Sequence, residues 1–274
     1  MASATAHSGA ESDDYRPDRG AGSVYANARG GHYPHLTARQ ACAVWGVHLF
    51  TMTGVVWACL ATISLVHANI KMMWLWLGIA LVVDGIDGTL ARRAKVRERV
   101  PWFDGAVLDN IVDYITWTFI PAVFMYKHLP LGPKWLAMSL MILIATTSTF
   151  TYCNTGEKSH DNYFVGFPAA WNVVAVYMWL LHSPAWVNIL AILVLAALTM
   201  SSLTFLHPFR VRTLVIPNII AVTVWLICLV TLIVIYPTAP LAVHVAWWLA
   251  GLWLVGVGIW RTVKGERTND APTQ

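Results

Sequence analysis

Four aspartates stand inside apolar sequence of membrane-crossing length. They read Asp84-Gly85-Ile86-Asp87-Gly88-Thr89-Leu90-Ala91-Arg92, then twelve residues, then Gly105-Ala106-Val107-Leu108-Asp109-Asn110-Ile111-Val112-Asp113. An ionised side chain at the centre of a membrane helix costs about 2.5–3.5 kcal/mol on insertion scales. Four on neighbouring segments demand a compensating cation or a wet cavity, since no membrane-buried Lys or Arg stands beside them. Hard divalent cations take oxygen ligands, and Mg²⁺ leaves coordination positions for water and substrate phosphate. Two such ions on four aspartates would polarise a diphosphate and stabilise its leaving group.

Helical spacing puts Asp84, Asp87, Gly88 and Ala91 on one face of a second apolar helix. Gly105, Asp109 and Asp113 share a face of the third. These helices run antiparallel. At about 1.5 Å per residue, Asp87 lies ~7 Å below Arg92 and Asp109 ~6 Å below Gly105, while Asp84 and Asp113 each lie ~12 Å deep. The four acids therefore match in depth. The small residues Gly88, Ala91 and Gly105 either let the helices pack closely or leave room for a ligand.

Positioning those helices is the task of a larger bundle. Eight apolar stretches are long enough to span: 43–67, 70–92, 105–127, 133–153, 166–182, 185–206, 213–236 and 240–262. Breaks such as Leu129-Pro130-Leu131-Gly132-Pro133, His182-Ser183-Pro184 and Pro237-Thr238-Ala239-Pro240 separate them. The expected fold class is all-α, a polytopic membrane bundle of about eight helices. With eight spans both termini share a side. All of the 18 Lys and Arg except Lys71, Lys127 and Lys134 fall on that side, so the positive-inside rule predicts cytoplasmic termini and a cytoplasm-facing site.

The composition agrees. Of 274 residues, 57% are hydrophobic and 12% charged, half the charge of an ordinary soluble domain. That reads as a polytopic membrane protein rather than a soluble enzyme; the net charge of +4 says little by itself, and no nucleic-acid partner is expected. Residues 1–36 are polar and Gly-rich and carry no signal-peptide core. They are expected to form a disordered tail, with a membrane domain over 37–263 and a short tail over 264–274. Cys42, Cys59, Cys153 and Cys228 are scattered and fit buried thiols rather than a disulfide or zinc site. The ten histidines show no ligand spacing.

The string DxxDGxxAR…GxxxDxxxD resembles the signature of the CDP-alcohol phosphatidyltransferases. In that family six membrane helices form the core and the motif lies on the second and third, so the last two helices would be additions. The resemblance implies that Asp84, Asp87, Asp109 and Asp113 hold two metal ions, Mg²⁺ or Mn²⁺. It implies that Asp113 also acts as the base on the acceptor hydroxyl. It implies that Gly88, Ala91, Arg92 and Gly105 line the CDP site.

The twelve-residue gap between Arg92 and Gly105 exceeds that of most members and is similar to the bacterial phosphatidylcholine synthases. Shared stretches include Leu90-Ala91-Arg92-Arg93, Gly166-Phe167-Pro168 with Trp171-Asn172, and His207-Pro208-Phe209-Arg210-Val211. Thr89 stands where Pro is expected, with no liganding atom clearly at stake. The resemblance implies CDP-diacylglycerol as donor, choline as acceptor, an inner-membrane location among lipid, and a homodimer.

A quaternary ammonium is recognised by aromatic faces, and the chain has 15 Trp. Trp102, Trp117, Trp171 and Tyr177 are candidates, against the alternative of an ordinary interfacial aromatic belt. Arg210 and Arg212 either set topology or grip a lipid phosphate. The acidic run Glu157–Asp161 reads as a solvated loop rather than a choline attractor. A phosphatidylserine synthase, or another member with a different acceptor, is the nearest rival. A cation transporter with an acidic intramembrane site is the distant one, disfavoured by the lack of inverted repeats.

Overall fold

The computed structural model describes residues 36–153, 164–201, 204–205 and 214–264. In chain order the helices are α1 (Ala38–Val66), α2 (Ile70–Ala94), the one-turn α3 (Val96–Arg99), α4 (Gly105–His128), α5 (Lys134–Cys153), α6 (Trp171–Leu180), α7 (Ala185–Leu198), α8 (Val215–Ile235) and α9 (Leu241–Lys264). A two-residue antiparallel ladder, β1 (Phe164–Val165) with β2 (Thr204–Phe205), closes the base of the α6–α7 pair.

Among the described residues, six segments are long and apolar enough to cross a membrane: α1, α2, α4, α5, Ile216–Ile235 of α8 and Leu241–Trp260 of α9. Their outward faces carry exposed large apolar side chains, among them Leu49 and Ile63 on α1, Ile216 and Val234 on α8, and Leu249 and Ile259 on α9. Such faces suit hydrocarbon, where a helix satisfies its own backbone. The chain is a polytopic helical membrane protein.

The fifth and sixth stretches are shorter than hydropathy predicts, at 10 and 14 residues. At 1.5 Å per residue they reach roughly 15 and 21 Å, short of a ~30 Å hydrocarbon core. The backbone gives the reason. Gly166 and Ala169 hold φ of +83° and +53°, Pro168 between them lacks an N–H, and the chain becomes helical only at Trp171. The Phe167 N–H donates to Leu198 O at 3.1 Å, docking this bend onto the end of α7. A Cβ at Gly166 would stand 2.5 Å from the Thr199 carbonyl oxygen, so the close approach requires glycine.

Helix starts are set by side-chain caps. Thr37 and Gln40 form a reciprocal capping box at α1, and Asn69 caps α2 through the Met72 N–H. Asp104 accepts from the N–H groups of Ala106 (2.9 Å) and Val107 (3.3 Å), fixing where α4 begins. Lys95, at φ +50°, ends α2. The link to α4 then folds back on α1, burying Val96 and Val100 against Val44 and Val47, with Ala91 and Phe103 at the edge.

α1 packs along α2 and also against α4, bracketing both motif helices. Gly54 sits directly against Val112, where a Cβ would collide with the Val112 methyl Cγ1. The main core gathers Trp74, Phe124, Met125, Ile144, Trp171 and Trp247. The opposite end is fastened by polar contacts. Lys71 Nζ donates to the carbonyls of Val234 (3.0 Å) and Tyr236 (3.1 Å), and buried Asn188 donates to Pro130 O at 3.1 Å.

Candidate active site

α4 changes character directly after Asp113. Tyr114–Phe119 form a π-helical stretch, a distortion common at functional sites. Thr118 Oγ1 donates to Ala169 O at 3.3 Å, tying the stretch to the bend before α6.

Asp84 from α2 and Asp109 and Asp113 from α4 converge. One carboxylate oxygen of each lies within 4.8 Å of the others, and all three residues are half-buried. Asp109 and Asp113 are one turn apart on a helix whose rotation Asp104 caps; Asp84 comes from the antiparallel neighbour. Three like charges this close repel strongly unless neutralised, and an all-oxygen carboxylate set fits a hard divalent cation.

Asp87 is not in that group. It is 4% exposed and lies beside Thr51 of α1, whose hydroxyl donates to Val47 O at 3.3 Å. The fourth carboxylate therefore faces α1, one turn along α2 from Asp84.

Arg92 folds back along α2. Its Nη2 donates to Thr89 Oγ1 at 3.1 Å, and its Nη1 lies 3.4 Å from where a Gly88 Cβ would stand. Thr89 thus has a polar role that its sequence position did not signal. Ala91 is partly buried at the edge of the Val44–Val96 cluster. Gly105 faces the His48 ring, whose Cε1 is 3.0 Å from the position of a Cβ.

The aromatic candidates separate. Trp102 keeps 38% exposure beside the start of α4, its ring 5.6 Å from Trp45 and 6.1 Å from Phe103. Trp117 is half-buried within the π stretch, a turn past Asp113. Trp171 is fully buried and its indole N–H donates to Ser148 Oγ at 2.9 Å, so no ring face is left for a ligand. Tyr177 stacks on Trp247 at 3.9 Å and its hydroxyl accepts from Trp225 Nε1 at 2.6 Å, which places it within the α6–α8–α9 packing. Arg210, Arg212 and the run Glu157–Asp161 lie outside the described residues.

Sequence reasoning missed three residues here: His48, Thr51 and Asp104. An aspartate just before Gly-Ala-Val-Leu is a readable cap signal. The polar pair His48 and Thr51, three apart within a largely apolar helix, is equally visible.

Comparison with known proteins agrees with this geometry. The family model described as CDP-alcohol phosphatidyltransferase matches residues 47–203. A phosphatidylcholine synthase of Pseudomonas aeruginosa is 47% identical over 229 residues, 84% of this chain and 96% of that protein. One of Brucella melitensis is 35% identical over 225 residues, covering 81% and 80% of the two chains. A third, from Bradyrhizobium diazoefficiens, is 40% identical over 169 residues, 62% of this chain and 63% of its own. Motif, fold and relatives agree: this chain belongs to the CDP-alcohol phosphatidyltransferase family.

Proposed function

We propose that this phosphatidyltransferase moves the phosphatidyl group of CDP-diacylglycerol to choline, giving phosphatidylcholine and CMP. The observation that carries the chemistry is the convergence of Asp84, Asp109 and Asp113 between α2 and α4. The acceptor rests on the relatives named phosphatidylcholine synthase, of which the Pseudomonas protein matches this chain over 96% of its own length at 47% identity.

Asp84, Asp109 and Asp113, with Asp87 held alongside, would bind divalent cations, two Mg²⁺ or Mn²⁺ ions in the fullest reading. When bound, such ions polarise the diphosphate and stabilise the departing phosphate oxygen. Asp113 takes the proton of the choline hydroxyl. The choline oxygen forms a bond to the lipid-side phosphorus as the bond from that phosphorus to the CMP oxygen breaks. A carboxylate is a weak base for an alcohol, so positioning supplies much of the rate. Arg92, folded over Gly88, is suited to the diphosphate. Trp102 offers an exposed ring for the trimethylammonium group.

An apolar groove of about 320 Å³, lined by Val55, Ala58, Cys59, Thr62, Ile63 and Ile115, suits an acyl chain of the donor. It starts at the level of Asp113, because neighbouring Gly54 abuts Val112. The basic end of the bundle is taken to face the cytoplasm at the inner membrane, with the chain acting as a homodimer.

The test supplies membranes containing the protein with CDP-diacylglycerol, Mn²⁺ and labelled choline, serine, inositol or glycerol phosphate. Labelled phosphatidylcholine and CMP are expected from choline alone, and Asp113→Asn should abolish both products while still inserting. Product from serine but not choline would move the chain to the rival acceptor class.

A further inference from the structure

His48 lies ten residues into α1, 2% exposed, and its Nε2 finds no hydrogen-bond partner among the described residues. A buried imidazole nitrogen without a partner is costly, and such exceptions call for an explanation. Its surroundings supply none. The ring packs edge-on to Phe103 at 4.4 Å and to Trp45 at 5.7 Å, neither of which offers an acceptor.

The position of the ring is informative. Its Cε1 lies 3.0 Å from where a Gly105 Cβ would project. On a helix, residues four apart share a face, so that direction is also the side on which Asp109 and then Asp113 project. His48 therefore stands on the acid-bearing face of α4, one turn (about 5.4 Å) nearer the helix start than Asp109. One turn further along α1, Thr51 lies beside Asp87. His48 and Thr51, the buried polar residues of α1, thus face the two motif helices, and Gly105 leaves the space that the imidazole borders.

We infer that His48 is a nucleotide-positioning residue whose Nε2–H donates to an acceptor oxygen of the cytidylyl half of the donor. This rests on reading the Gly105 side of the site as the nucleotide side. An N–H donor complements a phosphate or cytosine carbonyl oxygen; it has nothing to offer a trimethylammonium group.

The experiment uses the full chain, purified with Mn²⁺, as wild type and as His48→Ala, His48→Phe and His48→Gln. CMP and cytidine binding are measured directly, alongside KM for CDP-diacylglycerol and for choline. Ala and Phe should weaken CMP binding and raise KM for CDP-diacylglycerol by about tenfold or more, the loss expected for one hydrogen bond to a charged acceptor. The choline KM should stay unchanged. Gln, which carries an N–H at similar reach, should recover most of the loss. Phe keeps the packing with Trp45 and Phe103, so it separates lost donation from lost folding.

Weakening confined to CMP supports the inference with phosphate as acceptor; weakening of cytidine as well supports it with the base. Wild-type CMP affinity in His48→Phe overturns it, as does a loss that Gln fails to recover and that follows the melting temperature. If the wild type makes no phosphatidylcholine, the proposed acceptor fails, while the CMP binding series still decides the role of His48.

Discussion

Asp84, Asp109 and Asp113 could be read from the chain because their types violate the apolar rule and their spacing obeys the helical one. Asp87 was readable as an acid but not in its environment, since hydropathy and periodicity carry no information about what α1 places opposite α2. Thr51 is part of that environment: it is 7% exposed, adjoins Asp87, and has a hydroxyl that donates to Val47 O at 3.3 Å and can turn to the carboxylate. Outer residues that orient a metal-binding carboxylate typically change metal affinity or activity by about 10–100-fold when lost. Thr51→Val keeps the shape of the side chain and removes the hydroxyl. It should lower turnover within that range and shift the Mn²⁺ activation curve to higher concentration, with little change in melting temperature. Wild-type turnover with an unshifted Mn²⁺ curve would show that Asp87 needs no help from α1.

At the scale of elements, α1 joins what the motif separates. The sequence pattern located α1, α2, α4 and α5 well, because each is a long apolar run ended by polar or proline-containing turns. It overestimated the stretches 166–182 and 185–206, because hydropathy is blind to a left-handed Ala169 and to a chain that leaves the helix to pair Phe164–Val165 with Thr204–Phe205. Nor could it foresee that the twelve-residue link would pack Val96 and Val100 on Val44 and Val47. The α1–α4 contact can be tested at Gly54. A methyl there meets Val112, a β-branched side chain that is stiff in a helix. Gly54→Ala should destabilise the protein by about 1–3 kcal/mol in denaturation from detergent and reduce activity. Adding Val112→Ala makes the room and should restore much of both, a coupling a double-mutant cycle reads directly. Purely additive losses would mean that the two helices are not in register at this point.

The whole molecule has one electrostatic polarity, and it bears on where the reaction occurs. Among the described residues, Arg39, Arg92, Arg93, Lys95, Arg97 and Arg99 stand where α1 starts, α2 finishes and α4 begins, Lys71, Lys127 and Lys134 stand at the other helix ends, and the carboxylate cluster lies toward the first of these ends. Both proposed substrates carry permanent charge, so the site must open to the compartment that holds them. The chain carries its own reporters of orientation. The cysteines are not the buried thiols expected from the sequence: Cys42 near the start of α1 and Cys153 at the end of α5 are exposed at the basic end, Cys59 is exposed on the apolar mid-length of α1, and Cys228 is half-buried within α8. A membrane-impermeant maleimide should label Cys42 and Cys153 in inverted inner-membrane vesicles and leave them unlabelled in sealed right-side-out spheroplasts. Cys59 and Cys228 should react in neither preparation, since hydrocarbon excludes the reagent. Labelling of Cys42 and Cys153 from outside intact spheroplasts would reverse the assigned orientation and place the carboxylates toward the periplasm, where a cytosolic nucleotide-linked donor could not reach them.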